Sequence, residues 1–144
     1  MKILIVSMRS LHTTRWVNQL KSCGHDVYYF DILNGGSIKE WDWVKQFSNW
    51  RYKFGNFKGR FFIKKYFPKV HLLLENDVQI EFEKILNKVK PDVVHSFVIY
   101  ISCVPIFEVM QKNKHIKWIY SAWGNDLYFN QNKPVYKKEI KKFN

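Results

Sequence analysis

Ile3 to Val6 is an unbroken apolar run, Ile-Leu-Ile-Val, with no polar residue in alternation. A strand that is apolar on both faces belongs inside a parallel sheet covered on both sides. Beyond the polar loop Ser7 to His12, the apolar positions change to helical spacing at Trp16, Val17, Leu20 and Cys23. Thr13 or Thr14 can cap the start of that helix, and Gly24 can close its end in a left-handed conformation. Asp26 to Ile32, rich in Val, Tyr and Phe, is strand again, so the chain up to Ile32 reads as a βαβ unit. Ligands of such sheets bind outside the carboxyl ends of the strands, which makes Ser7 to His12 the first place to look for function.

The same alternation resumes later. Glu75 to Lys90 carries Val78, Phe82, Ile85, Leu86 and Val89 on one helical stripe, with acids in its first turn, lysines near its end and Pro91 stopping it. Asp92 to Phe97 is a strand with Val-Val-His at its middle. Ser102 and Pro105 open a helix through Ile106, Phe107, Val109 and Met110, Ile116 to Ser121 is a fourth strand, and Gly124 marks a turn within Ala122 to Asp126. Pro134 to Phe143 begins another helix, with Tyr136, Ile140 and Phe143 in phase. Four strands alternating with helices predict an α/β fold, a Rossmann-like parallel sheet with helices on both faces.

The alternation stops between Ser37 and Val70, where eleven aromatics sit among nine Lys or Arg and two acids. Linkers are poor in aromatics, so this is an insertion of two or three short helices over one end of the sheet, with Gly55 and Gly59 as breaks. Its Trp41, Trp43 and Trp50 either face outward as interfacial anchors on an anionic membrane or pack inward as cover. The 144 residues are one domain by length. The N-terminal apolar run breaks at Ser7 and Arg9, well short of the roughly 18 residues of a membrane span, so a cytoplasmic protein is expected. Cys23 and Cys103 lack the paired spacing of a zinc or redox site and read as buried small residues. The net charge of +12 comes mostly from lysine, which makes a general field rather than the two-pronged phosphate and base contacts of arginine. That argues against a nucleic-acid reader.

Three loops converge at the strand ends: Ser7 to His12, His95 to Ser102, and Ser121 to Asp126. His95, a polar ring on a Val-Val strand, is either a core histidine bonded to a neighbour or a working group. His12 is either a solvated loop residue or, beside a helix start, a donor to a phosphate or sugar hydroxyl. Asp126 either bonds a substrate hydroxyl or caps the following turn. The first loop has neither Gly-x-Gly-x-x-Gly nor Gly-Lys-Ser, which removes dinucleotide and P-loop readings. The places where a phospho-receiver domain keeps its acids hold Ser7-Met8-Arg9 and His95. His12, His25, His71, His95 and His115 are scattered without metal-ligand spacing, so no metal is expected.

Lys-Ile-Leu-Ile-Val followed by Ser-Leu-His-Thr-Thr-Arg-Trp, Gly-His-Asp-Val at 24–27, Lys-Pro-Asp-Val-Val-His at 90–95 and Trp-Gly-Asn-Asp at 123–126 together resemble the N-terminal domain of family 4 glycosyltransferases. The likeness covers most of the chain except the aromatic insertion. It implies a GT-B fold, in which this half binds the acceptor and a second Rossmann-like domain binds a nucleotide-sugar donor, with retaining, metal-independent transfer and no cofactor. It implies that His95 stands close to the transferring sugar, and that Ser10, His12, Thr13, Arg15, Trp123, Gly124 and Asp126 contact substrate. The chain departs from many relatives in having Ser-Leu-His-Thr instead of paired glycines after the first strand, and Phe97 where they have a second histidine. The donor domain, with its glutamates, is absent from these 144 residues, so residues 1–144 are expected to be one domain incomplete at its C-terminal end and inactive alone. The resulting expectation is transfer of a sugar to a cell-envelope glycan or lipid-linked acceptor. Rival readings are a non-catalytic membrane-associated adaptor, a subunit of a split transferase that meets a separate donor-binding chain, and a single-stranded nucleic-acid binder whose aromatics stack bases.

Overall fold

The computed structural model describes residues 1–53, 58–124, 126, 128 and 133–143. Gly55, one of the expected breaks, lies outside them, as do Phe54, Phe57 and Asn125. Five strands run parallel in the order β3-β2-β1-β4-β5, with β1 (Lys2–Ser7) between β2 (Asp26–Asp31) and β4 (Val93–Phe97). On the outer sides are β3 (Lys45–Phe47) and β5 (Lys117–Ser121). This is the Rossmann-like α/β sheet expected of the N-terminal half of a GT-B fold.

Both faces of β1 are covered, as its unbroken apolar run requires. On one face, Leu4 and Val6 pack with Phe30 and Val94 against Phe82, Ile85, Leu86 and Val89 of α4 (Val78–Val89) and Val109 and Met110 of α5 (Phe107–Lys112). On the other, Ile3 and Ile5 pack with Tyr29 and Phe97 against Val17 of α1 (Leu11–Asn18) and against Ile38, Trp41 and Val44. Each fully buried aliphatic or phenyl side chain contributes about 1.5–3 kcal/mol. Gly24 does close the turn after α1, at φ 66°.

The insertion holds short helices, as expected, and a strand that was not expected. The fifth strand, β3, comes first, Gly59 at φ 92° opens α2 (Arg60–Tyr66), and α3 (Pro68–Leu74) runs on past Val70. Lys45-Gln46-Phe47 shows no alternation long enough to announce a strand. It is held in place by the Gln46 amide, which accepts from Ile38 N–H at 2.8 Å and donates to the carbonyls of Ile38 and Trp41. Two of the three tryptophans considered as outward anchors point inward. The Trp41 indole donates to Asn18 Oδ1 at 2.8 Å and sits edge-on to Tyr29, and the Trp50 indole donates to the Asp31 carbonyl at 2.7 Å beside Phe30. The Trp41 ring is thereby buried and the Trp50 ring half-buried against the core. The exposed aromatics of the insertion, Phe61, Phe62, Tyr66 and Phe67, lie later, on and just after α2.

Further boundaries also shift. The helix read from Glu75 starts at Val78, because Asp77 is its cap and accepts from Gln79 and Ile80 N–H. The helix expected from Ser102 is three pieces: a π turn over Ile99–Cys103, a 3-10 turn over Val104–Ile106, and α5. Helix α6 (Pro134–Ile140) ends in a 3-10 turn through Phe143. Cys103 is buried as expected, but Cys23 is exposed on the turn after α1, where the helix has already ended. Among the described residues no helix is long and apolar enough to cross a membrane.

Candidate functional site

The chain leaves β1 towards β2 on one side and β4 towards β5 on the other, so the loops leaving the two central strands diverge. A crevice is left at that switch in strand order. There the molecule has a cavity of about 620 Å³ lined by His12, Arg15, Trp16, Gln19, Phe97, Ala122, Trp123 and Gly124.

One wall is the face of α1 that carries His12, Arg15, Trp16 and Gln19, which follow the helical spacing i, i+3, i+4, i+7. Its orientation is fixed from below. Ser10 is the cap of α1, its Oγ accepting from Thr13 N–H at 3.1 Å, while Thr13 Oγ1 donates to the Met8 carbonyl and lies 2.9 Å from both Ser7 Oγ and Ser10 Oγ. Ser10 and Thr13 therefore spend their hydroxyls on the loop rather than on the cavity. His12 is in the first turn of the helix, not before it, and meets Trp123 edge-on at 5.4 Å between ring centroids.

The opposite wall comes from the loop after β5, and Asp126 holds it. This carboxylate is 2% exposed, and its Oδ2 accepts from Trp123 N–H and from Ile99 N–H, each at 3.0 Å. The bonds it makes are to backbone, on the turn that precedes it and on the neighbouring exit loop. It ties the exit loops of β4 and β5 together and sets Trp123 over the cavity. Val98 just before Ile99 has φ 67° and ψ 101°, a conformation that costs a β-branched residue about 1–3 kcal/mol. Its neighbours over-determine it: Val98 N–H donates to the Ser121 carbonyl at 3.0 Å, and the Val98 carbonyl accepts from Ser102 N–H at 2.9 Å. Burial, with the Asp126 charge adding to it, pushes the nearby Cys103 thiol up to about 12, so it stays protonated and unreactive.

His95 stands behind this wall. It pairs with Ile5 and Ile119 two residues before the end of β4, is 7% exposed, and lies between Phe97, stacked at 4.3 Å, and Trp16, edge-on at 4.5 Å. Read from sequence as the first residue of an exit loop, it is enclosed within the strand, and the Phe97 ring beyond it faces the cavity. His95 Nε2 is 2.9 Å from Ser121 Oγ. Burial holds the imidazole below its ordinary pKa and hence neutral at pH 7. Because its native pKa is depressed, the unfolded chain takes up the proton first as pH falls. Stability attached to His95 is thus full above about 6.5 and is lost as pH drops from there towards the depressed value, by at most about 1.4 kcal/mol per pH unit. Urea melts between pH 7.5 and 5 should show His95→Gln losing less stability than the parent over that window. Equal slopes would remove this account of the ring.

Of the residues singled out from sequence, His12, Arg15, Trp123 and Gly124 line the cavity, while Ser10, Thr13, His95 and Asp126 build its walls. Trp16, Gln19, Phe97 and Ala122 were not anticipated, although the helical period of α1 already put Trp16 and Gln19 on the His12–Arg15 face. Three aromatic rings and three polar side chains around one opening suit a ligand with apolar faces and an equator of hydroxyls or a phosphate. No curated protein matches the chain. Residues 2–144 match the model of a family described as glycosyl transferase 4-like. That match takes in the central strands, both exit loops and the crevice between them, and the chain belongs to the glycosyl transferase 4-like family.

Proposed function

We propose that this glycosyltransferase domain binds the sugar acceptor in the crevice between the ends of β1 and β4. The observation that carries the reading is the make-up of the cavity: Trp16, Phe97 and Trp123 offer flat apolar surfaces for a sugar ring, and His12, Arg15 and Gln19 offer hydrogen bonds at its edge. The donor is a nucleotide-sugar held by a second domain or a separate chain, and transfer is retaining and needs no metal or cofactor. The acceptor is a cell-envelope glycan or a lipid-linked sugar on the cytoplasmic side. Arg15, with its planar fork of donors, balances the charge of an acceptor phosphate or of the departing nucleotide phosphate. Ser10 and Thr13 hold the first loop, Asp126 holds Trp123, and His95 acts as a positioning residue through Phe97 and Ser121 rather than by touching the sugar. Isothermal titration of the 144-residue chain with a panel of nucleotide-sugars is expected to give weak binding. A dissociation constant in the low micromolar range, about 8 kcal/mol, would assign donor binding to this domain and overturn the acceptor-side reading.

A peripheral membrane location is favoured by α2 and α3. Phe61 is 74% and Leu73 71% exposed, and Phe62, Phe67 and Leu72 are also exposed, interleaved with Lys64, Lys65 and Lys69. Apolar side chains among lysines are what an anionic surface attracts and then accepts. The 37–70 segment carries a local excess of seven positive charges, each contributing about 1 kcal/mol near such a surface. Anionic vesicles should sediment the protein at low ionic strength and release much of it near about 0.5 M salt. Equal recovery in the supernatant with anionic and neutral vesicles would contradict this, and would also remove the adaptor alternative.

A further inference from the structure

A second polar cavity lies beyond the carboxyl end of β2, away from the crevice. It has a volume of about 150 Å³ and is lined by Asn34, Arg51, Tyr52, Phe61, Lys64 and His71. Arg51, Lys64 and His71 are shared with an adjoining cavity of about 380 Å³ that also takes in Glu75. His71 is only 5% exposed, and its Nε2 has no hydrogen-bond partner among the described residues. Asn34, held at φ 57° just after β2, likewise keeps its Oδ1 buried and without a partner among them. Buried polar atoms without partners are costly and uncommon, and two lining one small basic cavity call for a ligand that supplies both bonds. Glu75 Oε1 lies 3.9 Å from Arg51 Nε and 3.9 Å from His71 Nδ1. It thus holds the guanidinium in place and lies on the Nδ1 side of the ring, so that Nε2 is the nitrogen left to the cavity.

We infer that Asn34, Arg51, Lys64 and His71 form an anion site that seats a single phosphate group. Two cations balance its charge, a His71 Nε2–H donates to one phosphate oxygen, and the Asn34 amide meets a P–OH or an adjacent hydroxyl. The cavity is of phosphate size. This site stands independently of the acceptor reading, since it shares no residue with the crevice.

Its test is a titration of the whole chain with sodium phosphate at fixed ionic strength, following the His71 ring nitrogens and Arg51 Nε by ¹⁵N nuclear magnetic resonance. Saturable shifts at both residues are expected. Lys64→Gln, an exposed change that leaves the fold intact, should weaken the apparent affinity about tenfold. Parallel titrations with glycerol 3-phosphate and with a soluble glycerophosphodiester separate the sources. Tighter binding of the diester marks a lipid headgroup, and tighter binding of inorganic phosphate or the monoester marks a free phosphate, each upholding the site. Shifts that rise linearly without saturating for all three probes, or saturation unchanged by Lys64→Gln, would overturn it.

Discussion

Replacing Asp126 by alanine is expected to destabilise the domain by about 3 kcal/mol, lowering its melting temperature by about 10 °C. The carboxylate accepts two backbone N–H groups, from Ile99 and Trp123, and alanine leaves both without that partner. A buried unsatisfied N–H costs about 1–3 kcal/mol, and some of the loss returns when Val98 relaxes from its positive φ. Asp126→Asn keeps an acceptor oxygen and should cost only about 1 kcal/mol, since it forfeits the charge-assisted part of the bonds. Thermal melts of the two variants check this directly. A melting temperature for Asp126→Ala within 2 °C or so of the parent would mean that the two exit loops are held by something else.

Arg15→Gln should lower sugar transfer by about a hundredfold in a preparation that carries out the reaction, the scale on which a lost electrostatic contributor is felt. Arg15 is exposed on α1 and its side chain makes no hydrogen bond or ion pair among the described residues, so folding stability should change by no more than about 0.5 kcal/mol. Trp123→Ala should act mainly by raising the acceptor KM, because an aromatic platform holds ground state and transition state alike. A variant pair in which Arg15→Gln transfers normally while remaining folded would move the working end of the site elsewhere on the sheet.

Much of this arrangement was legible in the residues. The unbroken Ile-Leu-Ile-Val run fixes β1 as the doubly covered central strand, and the stripe from Val78 to Val89 fixes α4, because both periods are long enough to be unambiguous. Strand β3 was not legible. Its three residues pair through their backbone and through the Gln46 amide, neither of which leaves an apolar pattern. The insertion's aromatics could be counted but not oriented. Trp41 and Trp50 are drawn inward by Asn18 and the Asp31 carbonyl, partners distant in sequence, while the Phe61–Phe62 and Leu72–Leu73 pairs remain outside. At the site, the converging loops were readable from the strand ends. The division of labour within them was not, because whether Ser10, Asp126 or His95 faces ligand or wall depends on contacts made only when the strands are paired.

The central claim, that the β1/β4 crevice holds the acceptor sugar, is tested most directly by the six indole N–H resonances of the protein. Trp16 and Trp123 line the crevice, whereas Trp41, Trp50 and Trp118 donate to Asn18, the Asp31 carbonyl and Ser96 inside the fold. Titrating a panel of cell-envelope oligosaccharides into ¹⁵N-labelled protein should shift the Trp16 and Trp123 signals together, saturably, and leave those three in place. An oligosaccharide that binds yet moves the Trp41, Trp50 or Trp118 signals and spares Trp16 and Trp123 would contradict the account, as would a panel that shifts none of the six.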